Sequence, residues 1–275
     1  MRYRGLAVAA LLLAGGCQGG KDDSTASAAP GIEAAPTADD ASAAPSEAPP
    51  EHAGRKVEAT NDLYEFSFSY PDAAGAIPGV RDLLDARLVK ARSELAATAR
   101  EDRDTAAKED YPFHPHGFDA TWATVADLPD WLSLSADVYT FSNGAHGMNY
   151  FDALLWDKRA GTARRARDLF TSAEALRDAI RDPFCDALDA EREKRRGEPV
   201  DRDGEQMFSE CIDPLAQTLL LGSSNGRTFD RIGILVAPYE AGPYAEGSYE
   251  VTLPVTGEVM AVLKPQYRSS FSLGK

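Results

Sequence analysis

Between Leu63 and Tyr70 the chain alternates strictly, with Tyr64, Phe66, Phe68 and Tyr70 on one face and Glu65, Ser67 and Ser69 on the other. A period of two predicts a strand with one buried face, and Pro71 ends it. From Pro78 to about Ala107 the spacing lengthens. Val80, Leu84, Leu88, Ala91, Leu95 and Ala99 step by four and three, which predicts one long amphipathic helix. Its other face carries Asp82, Arg87, Lys90, Arg92 and Glu94 and reads as a solvated surface.

Ala120 to Ala126 and Trp131 to Ser142 give the next two strands. The second is apolar in both parities, with Trp131, Tyr139 and Phe141 against Leu132, Leu134 and Val138, so it should be a central strand covered on both sides. Asn143-Gly144-Ala145-His146-Gly147 turns the chain into a strand from Tyr150 to Asp157, and Arg159-Ala160-Gly161 turns it again. Thr171-Ser172-Ala173-Glu174 has the form of a capping box with Thr171 as cap, opening helical sequence through Ile180. Pro183 is placed to start a second helix that stops at Gly197. Strands follow near Leu215 to Leu221, Phe229 to Val236 and Ser248 to Val255, and Thr256 caps a short helix. The expected class is α+β: antiparallel sheet meanders with one long N-terminal helix and a central helical segment.

Ahead of this lies a different kind of sequence. Arg2 and Arg4 precede the apolar run Leu6 to Leu13, which leads through Ala14-Gly15-Gly16 to Cys17. The run is shorter than the ~20 residues needed to span a bilayer, and the small residues abut a cysteine, the layout of a bacterial lipoprotein signal. Residues 1–16 are therefore expected to be removed and Cys17 lipidated. The location that follows is the cell envelope, on the periplasmic face of the outer membrane where the host has two membranes. Residues 18–54 hold no Phe, Trp or Tyr and a single branched aliphatic, Ile32, among Ala, Pro, Ser and acidic residues. Such a composition cannot offset its ordering entropy, so residues 17–54 read as a lipid-bearing tether with a reach of roughly 30 to 35 Å.

The formal charge of -15 argues against nucleic acid or an anionic membrane surface as partner and favours a basic one. The only membrane partner expected is the one reached through lipid on Cys17. Cys185 and Cys211 remain after Cys17. In an exported chain an even pair reads as a disulfide, closing a loop of about 25 residues and contributing on the order of 3 kcal/mol. Two buried free thiols are the alternative.

Tyr139-Thr140-Phe141-Ser142-Asn143-Gly144-Ala145-His146-Gly147, followed by a strand, the Gly161 turn and Arg167-Asp168-Leu169-Phe170, resembles the first half of a bacterial envelope domain of unknown function. The stretch from Ala237 to Val251, ending in Leu253-Pro254, resembles its second half. The family takes in the external region of the lysozyme-sensing anti-sigma factor RsiV and the non-catalytic region of the peptidoglycan deacetylase PdaC. The resemblance runs from about Tyr64 to Phe271 and divides the folded part into residues 55–170 and 171–275. It implies a domain used for binding at the cell wall, with lysozyme or a peptidoglycan component as the ligand by analogy. Unlike the deacetylase it is expected to carry no polysaccharide-deacetylase domain, and unlike the anti-sigma factor no membrane-spanning helix.

His146, set between Gly144 and Gly147 in an exposed turn, is the leading candidate for ligand contact. Tyr239 and Tyr244, in a loop rich in Tyr, Pro and Gly, can stack on sugar rings or pack on a protein partner, or simply fasten the loop to the sheet. His114-Pro115-His116 lacks a defined third ligand and makes a weak metal motif. Neither a metal nor a cofactor is expected. No G-x-S-x-G elbow, H-E-x-x-H helix or phosphate-binding glycine loop occurs, so no catalytic residue is named. The leading expectation is a lipid-anchored envelope binding protein and not an enzyme. A hydrolase or transferase with a dispersed site, or a structural envelope component, is the alternative.

Overall fold

The structure is a computed structural model that describes residues 53–204 and 206–275. The expected signal, Cys17 and nearly all of the tether lie outside the described residues. In chain order, β1 (Arg55–Thr60) and β2 (Tyr64–Tyr70) form a hairpin, then come the single turn α1 (Asp72–Gly75) and the helix α2 (Pro78–Glu109). Next are β3 (His116–Asp127), β4 (Trp131–Phe141), β5 (Met148–Asp157) and β6 (Thr162–Arg164). The helix α3 (Ala173–Arg196) leads to β7 (Thr218–Gly222), β8 (Arg231–Val236), β9 (Tyr249–Pro254) and the short α4 (Gly257–Ala261).

The first six strands form one sheet in sequence order and the last three form a second. All neighbours are antiparallel except β2 and β3, which run parallel with Phe66 opposite Phe118. The parallel pair follows from α2. Two adjacent strands can point the same way only if a long connection carries the chain back, and the 32-residue helix is that crossover. The expected fold class is corrected here: among the described residues nine strands in two sheets set the architecture, the first sheet is mixed rather than an antiparallel meander, and the long helix α2 stands between β2 and β3 and not N-terminal to the sheet. The strand β1 carries no clean apolar alternation because it is a largely exposed edge, and the sequence pattern passed over it.

The alternation in β2 does what its period requires: Tyr64, Phe66, Phe68 and Tyr70 are all buried. They pack with Val80, Leu84 and Leu88 of α2 and with Trp122, Leu132, Leu134 and Val138. Burying one such side chain is worth about 1.5–3 kcal/mol relative to leaving it in water, so this face alone accounts for the helix lying on it. The polar face of α2 is not simply solvated. The Arg87 guanidinium lies 5.1 Å from the centroid of Trp122 and 2.6 Å from the Asp152 carboxylate, while Arg92 Nε donates to the Tyr64 hydroxyl at 3.2 Å.

Trp131, on the other face of β4, belongs to a second core with Phe170, Phe184, Phe229, Ile234 and Tyr249. The expected coverage of β4 on both sides is thus met, by α2 on one side and the second sheet with α3 on the other. Two local expectations at α3 are corrected. Ser172, not Thr171, caps the helix, accepting from the Ala175 N–H at 3.0 Å. Thr171 lies one residue outside the helix, its N–H bound to the Val262 carbonyl at 2.8 Å. Nor does Pro183 start a new helix, because α3 runs through it. Pro183 removes a helix hydrogen bond at a cost of ~3 kcal/mol, but Ile180, Phe184, Cys185 and Leu188 around it are fully packed, and their burial outweighs the loss. Gly197 ends α3 in the left-handed region at φ 74°, as expected.

Candidate functional site

The tip of the β4–β5 hairpin is the Asn143–Gly147 turn, and Asn143 there takes a positive φ of 50°. The Asn143 side chain accepts from the His114 N–H at 3.1 Å, which holds the turn to the segment before β3. Gly147 is buried under the ring of Tyr139, and a Cβ at this position would collide with that ring. His146 stands exposed beside it.

The second loop, Ala237 to Gly247, arrives at the same place. The His146 and Tyr244 rings stack with centroids 3.9 Å apart and planes 23° from parallel. Tyr239 completes the cluster, 5.6 Å from Tyr244 and 6.3 Å from His146. The Tyr244 hydroxyl donates to the Gly147 carbonyl at 3.0 Å, the same oxygen that lies 2.9 Å from His146 Nδ1. The Tyr239 hydroxyl is 3.3 Å from His146 Nε2. All three candidate contact residues therefore meet, although 93 positions separate His146 from Tyr239. Tyr239 is 47% exposed and Tyr139 40%, so the cluster presents aromatic surface to solvent.

Tyr239 also has φ 73°. A bulky residue in the left-handed region costs of order 1–3 kcal/mol and persists only where its surroundings fix it. The fixing comes from α3, and sequence reasoning missed it. Arg192, fully buried, donates from Nε to the Ala241 carbonyl at 2.9 Å and from Nη1 to Asp189 at 2.9 Å and the Glu210 carbonyl at 3.0 Å. Arg196 grips Glu246 with two bonds of 2.9 and 3.0 Å and also reaches the Ala241 carbonyl at 3.2 Å. The Arg195 guanidinium lies 3.9 Å from the ring centroid of Tyr249, and the Tyr249 hydroxyl donates to Glu246. Partial burial pushes the Glu246 carboxyl up, but Arg196 and Tyr249 outweigh it and hold the group below the usual carboxylate range. In sequence these arginines look like ordinary positive charges in the last turn of a helix, favoured there by its dipole. The one available signal was their spacing, since 192, 195 and 196 fall on one helical face.

Cys185 and Cys211 are disulfide-bonded, with Cα atoms 5.4 Å apart, and the bond joins α3 to the segment whose Glu210 carbonyl Arg192 holds. His114 and His116 do not act together. His114 is exposed, whereas His116 is buried with Nε2 3.0 Å from an Asp102 carboxylate oxygen of α2. Among the described residues no group of three or more His, Cys, Asp or Glu is placed to hold a metal.

Residues 57–149 match a family model described as Deacetylase PdaC. The match ends just past the turn that carries His146 and does not reach the Tyr239–Tyr244 loop. No curated protein matches the chain. Among solved structures, a DUF3298 family member from Bacteroides fragilis NCTC 9343 aligns with a TM-score of 0.48 at 17% identity, over 78% of this chain and 93% of that one. A DUF3298 family protein from Pseudomonas aeruginosa PAO1 aligns with a TM-score of 0.48 at 15% identity, over 81% and 97%. The Tyr139–Gly147 stretch falls within the matched residues, which run from β1 into the start of β5 and are similar to a PdaC-type domain.

Proposed function

We propose that the folded part is a binding module held at the cell envelope by lipid on Cys17, and that it meets its ligand through the aromatic cluster of His146, Tyr239 and Tyr244. The observation that carries the reading is the exposed, backbone-strained Tyr239, in a loop that the buried Arg192 holds beside His146. Strain of this kind, over-determined by a rigid support, is how proteins preorganise a contact surface. Both imidazole nitrogens of His146 are engaged, one by Gly147 and one by Tyr239, which favours the ring as a stacking surface over a proton carrier. Aromatic faces flanked by hydroxyls suit a sugar ring or an arginine-bearing protein surface equally. The negative charge of the chain favours a basic protein such as lysozyme, with a cell-wall glycan as the alternative ligand.

Calorimetry on residues 53–275 against lysozyme and against soluble peptidoglycan fragments tests this. Saturable binding that weakens in His146→Ala and Tyr244→Ala supports the surface. Unchanged affinity in both variants overturns it, and turnover of a wall fragment by the pure domain overturns the binding-only reading. The anchoring is tested separately: Cys17→Ser should release the protein from the membrane fraction and remove its acyl mass.

A further inference from the structure

A cavity of about 200 Å³ lies between β4 and β5 of the first sheet and β7 of the second, and the segment Arg164–Arg167 forms one of its walls. Its apolar lining comes from Leu155, Leu215, Leu219 and Leu221. Its polar lining comes from Ser133, Gln217 and the three arginines 164, 165 and 167, with no acidic residue among the residues that line it. In a chain of formal charge -15 that lining is basic, with Asp157 and Asp168 just outside it paired to Arg164 and Arg165.

The arginines are incompletely satisfied. Arg164 reaches Asp157 only at 3.5 Å, and its Nε is buried without a hydrogen-bond partner. Arg165 is engaged by Asp168 at 2.9 Å, whereas Arg167 makes no ion pair among the described residues. A buried guanidinium N–H left without an acceptor costs free energy that a bound oxyanion would recover. The leucines exclude a bare inorganic anion as the best fit, because they offer apolar surface that such an ion leaves exposed. A space of this size suits a short acyl chain and not a long one.

We propose that this cavity binds a short-chain aliphatic carboxylate, its head on Arg164 and Arg167 and its tail between Leu155 and Leu219. The site lies away from the His146 cluster and stands or falls independently of the function proposed above. The test is calorimetry of hexanoate with the chain from residue 17 carrying Cys17→Ser, so that neither lipid nor detergent competes. One hexanoate per chain should bind, at least tenfold more tightly than hexanol, hexylamine or acetate. Arg164→Gln should weaken hexanoate at least tenfold. Arg167→Gln, at an exposed position, should weaken it without altering the fold, and Leu219→Phe, which fills the tail space, should abolish it. Absence of saturable hexanoate binding overturns the proposal. So does equal binding of hexanol, or an affinity unchanged in both Arg167→Gln and Leu219→Phe.

Discussion

The imidazole of His146 and the phenol ring of Tyr244 lie face to face at 3.9 Å, and both bond the same carbonyl, that of Gly147. Each ring therefore fixes the other against one point of the backbone. Aromatic pairs of this kind contribute about 0.5–1.5 kcal/mol beyond their buried area. Tyr244→Ala should cost about 1–2 kcal/mol of stability, and Tyr244→Phe about 1 kcal/mol or less because it keeps the stack and loses only the hydroxyl bond. Urea unfolding of the two variants beside the wild type reads the difference. Equal losses would mean that the stack contributes nothing.

Arg192 is the support on which the second loop rests. Removing it takes the buried guanidinium from Asp189, which keeps only the half-exposed Arg202, leaves the Glu210 carbonyl without its donor, and leaves Ala241 only the longer bond from Arg196. Breaking a buried charge pair by deleting one partner costs about 3–5 kcal/mol. Arg192→Ala should lower stability by about that much in urea. Arg192→Lys should recover little, since an ammonium cannot reproduce the planar fork that reaches three separate oxygens. A loss under ~1 kcal/mol in Arg192→Ala would refute the support role.

What the sequence disclosed and what it hid divide along physical lines. Strong periodic signals such as Tyr64–Tyr70 and Val80–Ala99 were legible because one buried face imposes its repeat on the residues directly. The parallel pairing of β2 with β3 was not, since strand direction depends on where α2 returns the chain, and no local pattern records that. The cap is Ser172 and not Thr171, whose N–H is taken by a distant carbonyl, that of Val262, a contact that no local pattern records. His146, Tyr239 and Tyr244 could each be named from turn glycines and loop aromatics, but their meeting could not. It depends on Arg192 and Arg196, which local reading assigns to solvent.

The Cys185–Cys211 bond joins the middle of α3 to the segment that supplies the Glu210 carbonyl to Arg192. Its two cysteines are 26 positions apart, for which the loop-entropy estimate gives about 3 kcal/mol. Cys185→Ala with Cys211→Ala should lower stability by roughly that amount, and reduction of the wild type should do the same. Thiol labelling of unreduced, denatured protein should find no free thiol at either position. Two labelled thiols in freshly isolated protein would contradict the pairing.

Acid should loosen the Tyr239–Tyr244 loop through Glu246. Its carboxyl, raised by burial but lowered further by Arg196 and Tyr249, titrates below its unfolded value. Such a group contributes stability that is fully present above the unfolded carboxylate range, near pH 4–5, and is lost as the pH falls through the lower folded value. Arg177 likewise holds the Asp213 carboxyl down, though both partners are more than a third exposed and water screens that pair. The wild type should thus lose stability between about pH 5 and pH 3, and Glu246→Gln should show a shallower loss over that window while being less stable at pH 7. Urea midpoints measured at pH 7, 5, 4 and 3 for both proteins read the two slopes. Parallel slopes would show that Glu246 does not carry the acid sensitivity, and equal midpoints at pH 7 would show that its bonds to Arg196 contribute nothing to holding the loop.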